Sequence, residues 1–143
     1  HNKFHRKNMS IEIKSFLKKV NLPISDIFMN SYPSQLSGGQ LQRIAIVKAL
    51  LVRPRILICD ESVNMLDSSV KNEIIYLLKK IQENMNLSII FITHDLALAK
   101  MFCNRLLVMS KGKIVEEGYP KEIFKHPKHI TTKKLLKSAF NIN

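Results

Sequence analysis

The stretch RILICDESVNMLDSSVKNEIIYLLKKIQENMNLSIIFIT, Arg55–Thr93, sets the fold class. Its first segment, Arg55–Cys59, is a short apolar run between Pro54 and the acidic pair Asp60-Glu61, which reads as a strand buried on both faces. From Ser68 to Met85 the apolar positions Val70, Ile74, Leu77, Ile81 and Met85 advance by three or four, the period of a helix with Asp67 or Ser68 at its N-cap. Leu87–Thr93 is a second buried strand. Strand, long connection and strand imply a right-handed parallel crossover, so the chain reads as α/β with a parallel sheet core.

Upstream, Ile13, Phe16, Leu17 and Val20 share one helical face, with Pro23 as the expected stop. A second helix is expected from about Gln40, carrying Ile44, Val47 and Leu51 until Arg53-Pro54 ends it. Downstream, Ala97–Cys103 reads as a short helix, RLLVM as a third strand and KIVEEG as a fourth.

A length of 143 residues suits one domain with a sizeable core. The 23 Lys and Arg against 11 Asp and Glu give a net charge of +12, compatible with polyphosphate ligands, nucleic acid or an anionic membrane surface, or with a plain solvated basic face. Cys59 and Cys103 lack the spacing of a disulfide framework or zinc site, which fits a reducing cytosol. No apolar run approaches the roughly 18 residues that cross a bilayer, and no signal-peptide pattern opens the chain. The first residue is His1, consistent with processing, an excerpt or a piece of a longer protein.

In a parallel sheet, ligands gather beyond the carboxyl ends of the strands. The first strand ends in Asp60-Glu61 and the second in Thr93-His94-Asp95. A carboxylate at such a tip can hold a hydrated Mg²⁺ on phosphates, and the next can polarise a water; a helix-capping loop is the plainer reading. His94, from a neighbouring strand, could reach the same phosphate or serve as a hydrogen-bonded structural residue. Ser37, Gly38 and Gly39 precede a helix, where close backbone approach and exposed N–H groups suit an anion, or where Ser37 caps a flexible turn.

Taken in order, LSGGQ, ILICDE, LD and THD resemble the C-terminal half of an ABC-type ATPase subunit, a P-loop NTPase, over about Phe16 to Phe140. The resemblance implies that Leu36, Ser37, Gly38, Gly39 and Gln40 form the signature motif, contacting ATP held by the opposite protomer of a dimer. It implies Asp60 as the Mg²⁺ residue of the Walker B strand, Glu61 as the catalytic base, Asp67 as the end of the D-loop and His94 as the switch histidine. Residues 1–52 would then be a partial helical subdomain, 53–118 the α/β catalytic portion and 119–143 a basic tail or helix. Ser62 and Asn64 depart from the residues many members carry in this loop, as Leu41 does in the helix after the signature.

The P-loop pattern GxxxxGK[ST] occurs nowhere, since the four glycines are Gly38, Gly39, Gly112 and Gly118, and no Q-loop glutamine precedes Gln35. The chain alone is therefore expected to bind ATP poorly and to be inactive, as a fragment of a larger subunit. YPSQLSGGQLQR and the tail KEIFKHPKHITTKKLLKSAF resemble oligopeptide, dipeptide and nickel importers, implying an ATPase subunit that drives uptake of nickel or peptide. Implied partners are a second ATPase subunit (homo- or heterodimer), transmembrane permeases and, indirectly, an extracytoplasmic binding protein, at the cytoplasmic face of the membrane, with no specific nucleic acid. The competing readings are a split, non-catalytic partner of a complete subunit and a soluble ABC-type ATPase on nucleic acid or ribosomes. His126 and His129 could chelate a metal but fit a structural or solvated tail better.

Overall fold

Helix α1 (Asn2–Lys19) opens the computed structural model, which describes residues 2–61 and 67–140. Ser62, Asn64 and Leu66 of the expected D-loop lie outside the described residues. The helix ends before Pro23 is reached. Asn21 turns left-handed at φ 54°, and the N–H of Leu22 donates to the Leu17 carbonyl at 2.9 Å. This is the Schellman closure, and asparagine enters it at low cost. The stop signal is therefore Asn21, not the proline.

Next come α2 (Asp26–Met29), a 3₁₀ turn at Pro33–Gln35, α3 (Gly38–Leu51), β1 (Ile56–Asp60), α4 (Ser68–Met85) and β2 (Ser88–Ile92). They are followed by α5 (Leu96–Phe102), β3 (Leu106–Ser110), β4 (Lys113–Gly118), α6 (Pro120–Lys125) and α7 (Ile130–Phe140). Contacts divide the chain into two units, residues 1–90 and 91–143.

In the first unit α1 packs on α3, and α3 on α4. Val20, Leu50, Ile74 and Leu78 are fully buried there, each contributing about 1.5–3 kcal/mol over leaving it in water. The expected strand–helix–strand is present, with β1 and β2 paired. The strand expected to be buried on both faces is buried on one. Leu57 and Cys59 are buried, whereas Ile56 and Ile58 are 56% and 63% exposed. Residues two apart share a face, and only the Leu57 face is covered.

In the second unit the expected third and fourth strands are present, β3 and β4, and they form a separate antiparallel hairpin. The reason is its turn. Lys111 and Gly112 both have positive φ, 48° and 75°, the type I′ geometry that joins two strands in a right-twisted hairpin. Helix α5 contacts α6 and α7, and Phe91 meets Phe102 edge-to-face at 5.4 Å. Among the described residues, no helix is long and apolar enough to cross a membrane.

Candidate functional site

The turn at Ser37 is built by two successive side-chain caps. Gln35 Oε1 accepts the N–H of Tyr32 at 2.8 Å, which closes the 3₁₀ turn that leads to Leu36. Ser37 then caps α3: its Oγ accepts the Gln40 N–H at 3.3 Å, while Gln40 Oε1 accepts the Ser37 N–H at 2.9 Å. This reciprocal capping box fixes the start of the helix at Gly38, two residues before the expected Gln40. The turn is a capped helix start rather than a flexible loop. With the Ser37 and Gln40 side chains engaged, the N–H groups of Gly38 and Gly39 are first-turn donors without intrahelical acceptors, beside the positive end of the helix.

Gly39 also has a packing reason. A Cβ there would lie 2.9 Å from Cγ1 of Val70 on α4, so a side chain would require the Val70 side chain or the helix to shift. The near approach lets one open groove of about 810 Å³ hold Ser37, Gly38, Gly39 and Gln40 together with Asp67. Thirty residues separate Ser37 from Asp67 in the chain. Asp67 stands at the N-cap of α4 and makes no side-chain capping bond, leaving its carboxylate to the groove.

Arg43 holds this arrangement in place. Its Nη1 donates to the Val20 carbonyl at 3.0 Å, and its Nη2 pairs with Glu73, tying the end of α1 to α3 and α4. The Arg43 side chain is 13% exposed but Glu73 is 63% exposed, so water screens the ion pair and the part-buried bond to the Val20 carbonyl is the better shielded tie. At the far end of the groove the ammonium of Lys80 lies over the ring of Tyr76 at 4.6 Å.

Asp60 ends β1 exposed, and Glu61 follows in left-handed backbone at φ 46°. Neither carboxylate belongs to a cluster of three or more metal-ligating side chains among the described residues. A single strand-tip carboxylate still fits Mg²⁺, which keeps several waters and asks for one or two protein oxygens. His94, in the second unit, is exposed between two local clamps. Thr93 Oγ1 accepts the Asp95 N–H at 2.9 Å, and Asp95 Oδ1 caps α5 by accepting the N–H groups of Ala97 and Leu98 at 3.0 and 3.1 Å. Asp60 and Glu61 belong to the first unit and His94 to the second.

Of the two tail histidines, His126 is exposed at the end of α6 and His129 is built into the structure. The N–H of His129 donates to Glu116 at 2.9 Å, and its Nδ1 accepts the Thr131 N–H at 3.1 Å, at the head of α7. Glu116 also receives the Lys128 N–H at 2.9 Å. Partial burial pushes the Glu116 carboxyl up, but the Thr132 hydroxyl, these two N–H donors and the His129 charge outweigh it and hold the carboxyl below its ordinary value. Thr132 Oγ1 is buried without a partner in strict hydrogen-bond geometry, so its part is the weaker one, and the two backbone donors at 2.9 Å carry the effect.

Residues 1–64 match the ABC transporter family. The methionine import ATP-binding protein MetN of Helicobacter acinonychis is 49% identical over 108 residues, which cover 76% of this chain and 33% of that protein. The oligopeptide transport ATP-binding protein OppF of Mycoplasma pneumoniae is 46% identical over 108 residues, 76% of this chain and 13% of that protein. A solved ATP-binding cassette, a dimer in a post-hydrolysis state bound to ADP and Pi, aligns with a TM-score of 0.64 at 35% identity, over 76% of this chain and 46% of that one. The fold is that of an ABC transporter ATP-binding domain. The chain spans about a third of the length of the methionine-import relatives it matches.

Within this ABC-type fold, the sequence reading missed Arg43, the Gly39–Val70 approach and the clamps around His94. Arg43 carried a signal: an arginine beside the apolar face of α3 is drawn toward the core only where partners meet its charge, here the Val20 carbonyl and Glu73. The Thr93 and Asp95 clamps were also readable, since hydroxyl and carboxylate side chains before a helix bond the backbone two or three residues on.

Proposed function

We propose that the chain is the signature-bearing part of an ABC importer ATPase, and that its Ser37–Gly39 turn completes a nucleotide site whose P-loop belongs to another ATPase chain. The observation that carries this reading is the single groove in which the head of α3 meets Asp67. Two backbone donors and a helix dipole there favour a terminal phosphate, while the Asp67 carboxylate is placed to contact the partner chain. In the same reading Glu61 polarises the attacking water, His94 donates to the γ-phosphate, and Asp60 would hold Mg²⁺. The ion, when bound, neutralises developing phosphate charge.

Residues 1–52 would transmit closure to membrane-embedded permeases, which places the protein peripherally at the cytoplasmic face. Relatives named for methionine and oligopeptide import favour amino-acid or peptide cargo. Nickel, the other cargo expected from the resemblance, has no counterpart among the relatives named above.

The test is ATP-dependent association. The chain is mixed with a P-loop-bearing MetN-type subunit whose catalytic glutamate is replaced, and complex formation is followed by size exclusion with and without Mg-ATP. A complex that forms only with ATP and is lost in Gly38→Asp is expected. Association that ignores both ATP and that substitution would defeat the reading.

A further inference from the structure

The head of α3 is held by few contacts. The buried residues of the helix, Ile46, Val47 and Leu50, all follow Arg43 in the chain. Before Arg43 stand Gly38, Gly39, Gln40, Leu41 and Gln42, none of them buried. Apolar packing therefore fixes the body of α3 and leaves its first turn to other ties. Ser37 and Gln40 bond each other's backbone N–H groups, which shapes the turn without tying it to another element. Val70 meets Gly39 as a steric stop, which limits approach and does not hold the turn down. Among the described residues, Arg43 is the one side chain of α3 that hydrogen-bonds to a neighbouring segment. It sits one helical turn after Gly39, with one nitrogen on the Val20 carbonyl just past α1 and the other on Glu73 of α4. A turn rises about 5.4 Å, so a tilt of about 10° at Arg43 moves the Gly38 and Gly39 amides by about 1 Å. That exceeds the roughly 0.5 Å within which a binding constellation is held.

We propose that Arg43 is a positioning residue for the phosphate-binding turn: its fork passes the position of the end of α1 to the Gly38 and Gly39 N–H groups, without touching the nucleotide. The inference rests on the proposed part of that turn in completing a nucleotide site, and it names the link between the helical residues 1–52 and the turn. A lysine at position 43 keeps the charge but reaches one acceptor at a time, whereas the guanidinium reaches both. Glu73 is 63% exposed, so its half of the fork is screened and the part-buried half on Val20 carries more of the positioning.

Two measurements separate this role from plain stabilisation. In the chain alone, the amide NMR signals of Gly38 and Gly39 are compared among the parent, Arg43→Lys and Ile81→Val. Ile81 is buried on α4 and does not line the groove of the turn, so its truncation lowers stability and should leave both glycine signals in place. Arg43→Lys should move them. In the second measurement, the Mg-ATP concentration that gives half-maximal association with the P-loop-bearing subunit is read well below each variant's unfolding midpoint. It should rise about tenfold in Arg43→Lys, equivalent to about 1.4 kcal/mol, and about twofold in Glu73→Gln, where the lost partner is screened. Ile81→Val should leave it unchanged. The proposal is overturned if Arg43→Lys leaves the glycine signals where they are, if Ile81→Val shifts them as far, or if association in Arg43→Lys needs no more Mg-ATP than in the parent. A parent chain that ignores Mg-ATP would defeat the nucleotide reading instead, and the glycine signals would still decide whether Arg43 positions the turn.

Discussion

Cγ1 of Val70 stands 2.9 Å from the point where a Cβ would sit on Gly39, well inside the distance at which two non-bonded carbons rest. Helices α3 and α4 therefore meet at a place where only a bare backbone fits. Gly39→Ala should cost about 1–3 kcal/mol, the range for overpacking a tight contact, and Val70→Ala in the same chain should recover part of it. Urea unfolding of the two single variants and the double variant measures this. A Gly39→Ala protein as stable as the parent would show that the approach is slack.

Arg43→Met removes the donor from the Val20 carbonyl and the partner from Glu73 together. A loss of about 1–3 kcal/mol is expected, with Arg43→Lys recovering little, because one ammonium does not reproduce the two-sided fork. Amide exchange at Asn21 and Leu22 should quicken in step, since their turn loses its tether. Unchanged exchange there would place the role of Arg43 elsewhere.

The chain contains no GxxxxGK[ST] segment to hold the β- and γ-phosphates. Purified on its own it should show no Mg-dependent ATP turnover above that of its Glu61→Gln variant, measured as phosphate release. Robust turnover that Glu61→Gln abolishes would mean that the phosphates are held by residues outside that pattern.

Glu116 gives a prediction with a sign. Its folded pKa lies below the ordinary value, so the ionised form is the stabilising one. That stability is complete above the unfolded pKa and is lost as pH falls through the lower, folded value. Glu116→Gln should therefore cost about 1 kcal/mol near neutral pH, a modest figure because the carboxylate is largely solvated. The gap from the parent should close as pH falls below the ordinary glutamate range. Thermal unfolding across that range checks it, and a gap that widens on acidification would reverse the assignment.

The strand–helix–strand of residues 55–93 was readable because two short apolar runs flank a segment whose apolar residues recur every three or four positions. What such patterns do not record is whether an apolar face is covered. Ile56 and Ile58 look like core residues on the page, yet they stand in water while Leu57 and Cys59 are buried. The sequence reading found β3 and β4 but assigned them no partner, because their pairing hangs on a two-residue turn, and Lys111-Gly112 is a weaker hairpin signal than Asn-Gly or Asp-Gly. In the site, the Ser37–Gly39 turn was legible as a local pattern. Its meeting with Asp67 was not, because helix packing across thirty residues brings it about and no local pattern encodes that.

Glu61 sits where the backbone turns left-handed, at φ 46°. A residue with a Cβ gives up about 1 kcal/mol there relative to glycine. Glu61→Gly, a single base change, would recover that backbone cost and give up what the side chain contributes. Where the carboxylate is no longer required, position 61 is thus a place where drift toward glycine can begin before the buried helices change at all.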